Sequence, residues 1–365
     1  MHKTSAWPLA LVVAALIVFA SLFPFIGWRN QGISPGVFLT ATLPPPYWTG
    51  FDLAINVAGY APLGFLLALA LLRTGRGLLA VPLALGAGAV LSLLLEFLQI
   101  YLPQRVPSNL DLVLNMAGAF LGALSAALLE HWGAIDRWSR FRNRWFAPDA
   151  RGALVLLALW PWALLFPAAE PFGLGQVLER LEGALADVLA GTPFLDWLPV
   201  REAPLQPLSP VAELLCVALG LLVPCLLVYG MVRHIGRRVV LVLLIAVAGV
   251  GATALSAALS FGPAHAWAWL GMPARVGIWV GLVLAALLLA LPQRACAVLL
   301  LLVLTIQLGM LNDAPTSAYF AQTLLTWEQG RFIRFYGLGQ WLGWLWPYAT
   351  LVYVLLRASR RGSGS

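Results

Sequence analysis

Charge is what this 365-residue chain has least of: aspartate, glutamate, lysine and arginine make up 10% of it, against 61% hydrophobic residues. A soluble domain carries about 25% charged residues, so a globule covered by water is excluded. Cysteine is almost missing. Cys216, Cys225 and Cys296 lie within or at the ends of apolar runs, without the spacing of a disulfide framework or a zinc site, and read as packing residues. The histidines, His2, His131, His234 and His265, are scattered along the chain and form no metal cluster. There is no glycine-rich phosphate loop and no Gly-x-Ser-x-Gly elbow, so no metal and no cofactor is expected.

What the chain has instead is long apolar runs. Runs of about 20 such residues cross the hydrocarbon as helices that satisfy their own backbone hydrogen bonds. The strands of an outer-membrane barrel would alternate apolar and polar, and these runs do not. The fold class is therefore all-α, a polytopic transmembrane bundle of about ten spans. They fall near residues 8–26, 51–72, 78–102, 109–130, 151–167, 208–232, 239–260, 276–291, 295–311 and 339–357.

Topology follows from the basic residues. With Lys3 placed inside, the inner loops collect most of the 22 lysines and arginines, among them Arg73, Arg76, Arg140, Arg144, Arg237, Arg238, Arg294 and Arg357. The positive-inside rule then puts both termini in the cytoplasm. The net charge of +7 reads as anchoring to anionic inner-leaflet lipid, not as nucleic-acid binding. The first apolar run continues from Phe19-Ala20-Ser21-Leu22 into Phe23-Pro24-Phe25 without a clear small-residue cleavage site, which predicts a retained signal anchor.

Three regions follow. Residues 1–130 hold the first spans as a four-span domain. Residues 131–150 form a basic amphipathic cytoplasmic linker, in which Arg137-Trp138-Ser139-Arg140-Phe141-Arg142-Asn143-Arg144-Trp145 interleaves arginine with aromatics suited to the headgroup layer. Residues 151–365 form a six-span membrane region. Its long outer loop, Ala168 to Gln206, contains apolar residues at helical spacing from Leu174 to Leu189, and these predict an amphipathic helix on the outer surface. A second outer segment, Ala318 to Tyr336, is aromatic-rich and reads as an interfacial belt, with a lid over the bundle as the alternative.

Chemistry is concentrated in the first region. The stretch DLAINVAG at Asp52 to Gly59 returns as DLVLNMAG at Asp111 to Gly118. Both copies open spans that run from outside to inside, so Asp52 and Asp111 sit near the outer interface and Asn56 and Asn115 lie about 6 Å deeper. The intervening span rises the other way, which brings Glu96 and Gln99 into the same outer layer. Arg105, in the short connection Leu102-Pro103-Gln104-Arg105-Val106-Pro107-Ser108-Asn109, is the nearest countercharge. The expected catalytic candidates are Glu96, Arg105 and Asp111, within hydrogen-bonding or one-water reach of each other. Asp52, Asn56, Gln99, Ser108 and Asn115 are expected to bind substrate around them. A plainer account covers part of this, because Thr49-x-x-Asp52 and Ser108-x-x-Asp111 both fit a helix N-cap followed by a carboxylate in the first turn. It leaves Glu96 unexplained, and an acid inside a membrane marks a functional site by default. Gly118-x-x-x-Gly122 reads as a helix-contact motif.

The segments NVAGYAPLGFLL and SLLLEFLQIYLPQRVPSNLDLVLNMAGAFLG resemble the VanZ-like membrane domain, named after an accessory protein of glycopeptide (teicoplanin) resistance. The match carries Pro62-Leu63-Gly64, Ser92, Glu96, Gln99, Pro103, Arg105, Ser108, Asp111, Asn115, Gly118 and Gly122 in order. Many relatives have a histidine or lysine near the start of the second span, where this chain has Asp52 and Asn56. The C-terminal FYGLGQWLGWLWPYA is similar to the tail of longer relatives. The resemblance implies a role in the bacterial cell envelope and a place in the inner membrane, and supplies no reaction. Three uses of the cluster remain open. It binds or processes an envelope lipid, anionic or polyprenyl-phosphate-linked; it couples protons to transport or flipping; or it only specifies helix packing and assembly.

Overall fold

The computed structural model describes residues 6–23, 25–34, 36–43, 50–166, 168–197, 205–315 and 333–362, and excludes the side chains of 51–52, 333–338 and 360–362. All regular elements among the described residues are helices. The chain divides into two compact units, Met1–Phe141 and Arg142–Ser365.

In the first unit, α1 (Ala6–Leu22) is followed by the single turn α2 (Gly36–Leu39) and by α3 (Gly50–Arg73), α4 (Ala80–Gln99), α5 (Asn109–His131) and α6 (Ala134–Trp145), the last running into the second unit. Helices α1, α3, α4 and α5 pack together, and the closest pair is α3 with α5. Small residues make that closeness possible. A Cβ at Gly118 would strike the Val57 carbonyl, one at Gly122 the Ala61 carbonyl, and one at Gly64 the Ala119 carbonyl. Because Val57 to Ala61 and Gly118 to Gly122 step together by one helical turn, α3 and α5 run parallel. Without water to expel from between them, helices in lipid associate through such backbone-to-backbone packing. At the opposite end from the polar cluster, Arg73 ties α3 to Glu130 (3.3 Å) and Asp136 (2.9 Å).

The second unit is built around α9 (Pro210–Tyr229), which is buried along nearly all of its inner two-thirds, from Cys216 to Tyr229. Around it lie α7 (Arg151–Ala163), α10 (Ile235–Phe261), α11 (Met272–Leu287) and α12 (Gln293–Asn312), with α13 (Ile333–Gly362) against α7 and α12. The amphipathic α8 (Leu178–Leu189) joins α7 to α9. The three cysteines are free and buried. Arg238, expected among the inner basic residues, is 4% exposed. Its guanidinium donates to the carbonyls of Tyr229, Val232, Leu289 and Leu291, and so ties off chain ends after α9 and α11.

Among the described residues, six helices are long and apolar enough to cross a membrane: α3, α4 with its preceding turn, α5, α9, α10 and α12. The chain is a multi-pass membrane protein. Three further expected spans fall on shorter apolar helices, α1, α7 and α11, and the tenth falls in α13.

One local expectation is corrected. Leu174 belongs to no helix, because α8 begins at Leu178. It lies in irregular backbone where Phe172 to Gly175 are buried, Gly175 takes φ 93° and Phe172 takes φ 60°. Helix α7, with 13 residues, is only about 20 Å long. The chain then continues as irregular backbone inside the unit, where Phe172 packs on Gly220 and Gly249 near the middles of α9 and α10. Irregular backbone at that level is tolerated only when protein surrounds and satisfies it. Gln307 Nε2 donates to Phe172 O (3.2 Å), and Asn312 Nδ2 to Gly175 O (3.1 Å). Asn312 Oδ1 in turn accepts from the amides of Val177 and Leu178. The aromatic segment expected from Ala318 to Tyr336 lies outside the described residues.

Candidate functional site

The polar layer of the first unit is assembled at the ends of α3, α4 and α5 that meet the α4–α5 turn. Ser108 is the N-cap of α5, with extended backbone (φ −137°, ψ 129°) and its hydroxyl accepting from Leu110 N and Asp111 N. In the usual capping box a carboxylate three residues on returns to the amide of the cap residue. Here the amide of Ser108 donates to Glu96 Oε2 at 2.8 Å, so a carboxylate from α4 completes the cap of α5. Glu96 is 3% exposed. Its position answers a requirement of the fold, since a buried amide and a buried carboxylate satisfy each other.

With that amide taken by Glu96, Asp111 reaches across to α3, where Asn56 Nδ2 donates to Asp111 Oδ1 at 2.7 Å. The second copy of the repeated motif thus contacts the first through its acid and the first copy's amide. One turn deeper, Asn115 Nδ2 donates to Ser92 Oγ at 3.0 Å. Its Oδ1 is buried and has no hydrogen-bond partner. The Tyr60 hydroxyl interacts with Ser92 and lies in the field of Glu96.

The turn itself is held from α1. Arg105 donates through Nη2 to Ala20 O (3.0 Å) and Phe23 O (2.8 Å), at the end of α1. Gln99 Nε2 donates to Ser21 O (3.2 Å). Residues between α1 and α3 bond to the same turn and the start of α5: Arg29 N donates to Tyr101 O, Gln31 Nε2 to Ile100 O, and Asn109 Nδ2 to Ala41 O.

Of the residues expected from the sequence, Asn56 is brought to Asp111, Glu96 to Ser108, and Arg105 and Gln99 to the end of α1. The Asp52 side chain lies outside the described residues. Sequence reasoning missed Ser92 as the partner of Asn115, although the two are separated by the length of one helical hairpin. It also missed Asn109, Gln31 and Tyr60.

The family model described as VanZ/LLP1 matches residues 6–130. Over those residues the chain is similar to the VanZ-like family. The match ends before α6 and leaves residues 131–365 outside it. No curated protein and no solved structure matches the chain. The VanZ-like domain accordingly holds the polar layer, while the second unit carries its own polar groups, missed by sequence reasoning: Gln307 and Asn312, both 4% exposed, and Glu170. Glu170 lies in the irregular stretch, where burial first, and then the neighbouring Glu213 charge, push its carboxyl up to about 7.

Proposed function

We propose that the polar layer of the VanZ-like domain binds the head of an envelope lipid at the outer leaflet of the bacterial cytoplasmic membrane. The candidate class is an anionic or polyprenyl-phosphate-linked precursor of cell wall or polysaccharide. On this reading the chain would work in the envelope setting that its resemblance to the glycopeptide (teicoplanin) resistance family implies. The observation that carries the reading is Asn115 Oδ1, a buried acceptor without a donor, set beneath a layer that already contains a carboxylate, a serine and a tyrosine. A hydroxyl of a lipid head group, or a water that it displaces, would satisfy that oxygen. Arg105 is the cation nearest the turn and supplies the attraction for phosphate. Glu96, which accepts the Ser108 amide through Oε2, is the carboxylate of this layer placed to accept or return a proton. The layer sits at the ends of spans, where a lipid head group is already concentrated.

A second reading is favoured by one observation, the bond from Ser108 to Glu96. It gives Glu96 a purely architectural purpose, in which the layer specifies how α3, α4 and α5 assemble. Mass spectrometry of lipid extracted with the purified full-length protein separates the two. Under lipid recognition, an anionic or polyprenyl species is enriched over bulk phospholipid, and Arg105→Ala and Asn115→Leu each remove the enrichment while the protein still elutes as a folded species. Bulk phospholipid alone, unchanged by either substitution, leaves the assembly reading standing.

A further inference from the structure

The second unit contains a cavity of about 360 Å³ where the end of α9 and the start of α12 meet the end of α13. Its walls are mostly apolar, with Leu226, Leu227, Leu301 and Val354 among the lining residues, and it also takes in Gln293, Arg294 and Arg357. A volume of that size is in the range of small-ligand sites, about 300–1,000 Å³. This end of the unit is its basic end. Arg151 opens α7, Arg233 and Arg237 flank the start of α10, Arg294 opens α12 and Arg357 closes α13. By the positive-inside rule it faces the cytoplasmic leaflet.

The two arginines of the cavity differ in what they have left to give. Arg357 is clamped by Asp149, with Nε at 2.8 Å from Oδ2 and Nη2 at 3.0 Å from Oδ1. Its charge is balanced in place. Arg294 is exposed and has no ion pair among the described residues. Beside it Gln293 Nε2 is buried and has no hydrogen-bond partner. Both residues stand in the first turn of a 20-residue helix, α12, whose leading amides have no partner within the helix and whose dipole favours an anion. An unbalanced cation, an unsatisfied amide donor and a helix start therefore face the same place, and an apolar hollow opens beside them.

We propose that this cavity holds an acyl chain of an anionic phospholipid of the cytoplasmic leaflet, with the lipid phosphate at the start of α12 between Arg294 and the Gln293 amide. An acyl chain matches the apolar walls, and the phosphate matches the donors. Free phosphate would answer only the donors, and a zwitterionic lipid would bring a positive group towards Arg294. Basic pockets between helices on this side of a membrane are suited to anionic head groups. The site is independent of the layer in the VanZ-like domain.

The test is native mass spectrometry of delipidated full-length protein titrated separately with phosphatidylglycerol, phosphatidylcholine and inorganic phosphate. Phosphatidylglycerol is expected to bind more tightly than phosphatidylcholine. Arg294→Ala should weaken phosphatidylglycerol by about fivefold, the effect of one surface cation, and leave phosphatidylcholine unchanged. Ala297→Trp, which fills the cavity without altering charge, should block phosphatidylglycerol as well. Should that variant not fold, the Arg294→Ala comparison of the two lipids decides alone. Equal binding of the two lipids, unchanged phosphatidylglycerol binding in Arg294→Ala, or displacement of the lipid by millimolar inorganic phosphate would overturn the proposal. Any anionic lipid bound by the first unit is insensitive to substitutions at 294 and 297, so the two sites are read apart.

Discussion

Glu96 on α4 accepts the backbone amide of Ser108, the residue that caps α5, across 2.8 Å. A carboxylate buried to 3% exposure is thereby the acceptor for an amide that its own helix cannot satisfy. Removing the acceptor leaves the amide stranded, at a cost of about 1–3 kcal/mol. Glu96→Ala should lower the unfolding midpoint in detergent accordingly, while Glu96→Gln, whose amide oxygen still accepts, should stay within about 1 kcal/mol of the parent. An alanine variant as stable as the parent would remove the capping role.

The approach of α3 to α5 leads to a contrast between two glycines of the same domain. A Cβ at Gly122 meets the Ala61 carbonyl, whereas nothing lies within 4 Å of one at Gly59. Gly122→Val should separate the helices and abolish accumulation of folded protein, as overpacking against immobile backbone does at a cost of roughly 3 kcal/mol or more. Gly59→Ala should be tolerated. Size-exclusion profiles of the two variants in one detergent compare them directly.

Much of this was legible in the sequence. Hydropathy located the helices because an apolar run of span length has few other uses, and the repeated Asp-Leu-x-x-Asn-x-Ala-Gly pattern pointed to α3 and α5 as neighbours, with Asn56 and Asp111 in one layer. Other features were not legible. The donor that Glu96 takes depends on the path of the turn from Leu102 to Ser108, which spacing alone does not fix. The stretch from Ala168 to Gly175 reads as an outer loop because hydropathy registers composition and not the side chains of Gln307 and Asn312, more than a hundred residues away, that satisfy its backbone. Arg238 likewise counts as a topology signal until the carbonyls around it are placed.

That arginine supports a prediction of its own. Arg238 donates to four backbone carbonyls, and hydrogen bonds from a charged group contribute about 1.5–3 kcal/mol where their loss leaves buried acceptors. Arg238→Ala should therefore destabilise the second unit by at least about 2 kcal/mol. Arg238→Lys, a point charge without the planar fork, should recover only part of this. Unfolding followed by tryptophan fluorescence in detergent would report both, and an alanine variant within experimental error of the parent would contradict the assignment.

Glu170 gives the protein a pH dependence near neutrality. Its carboxyl, pushed up to about 7 by burial and by Glu213, is held protonated by folding at pH values where the unfolded chain has already ionised it. Stability from this group is fully present below the unfolded value of 4.5 and is lost as pH rises through about 7. Melting of the parent should fall between pH 5 and pH 8, roughly the window set by those two values. Glu170→Gln should flatten that part of the profile, with Glu213 and Cys216 unchanged in both proteins. A profile of the same slope in the variant would assign the dependence to other groups.

The central claim is that the layer beneath the α4–α5 turn is a ligand site and not only a packing device. Its most direct test is the thermal unfolding of the delipidated full-length protein in detergent with a soluble short-chain polyprenyl phosphate added in increasing amounts. Binding to the native state stabilises by mass action, by about 2.7 kcal/mol at a hundredfold excess over the dissociation constant. The parent should show a saturating rise in midpoint that Asn115→Leu and Arg105→Ala reduce or remove, with Arg294→Ala behaving as the parent. A midpoint that does not move, or one that moves equally in all four proteins, would contradict the account.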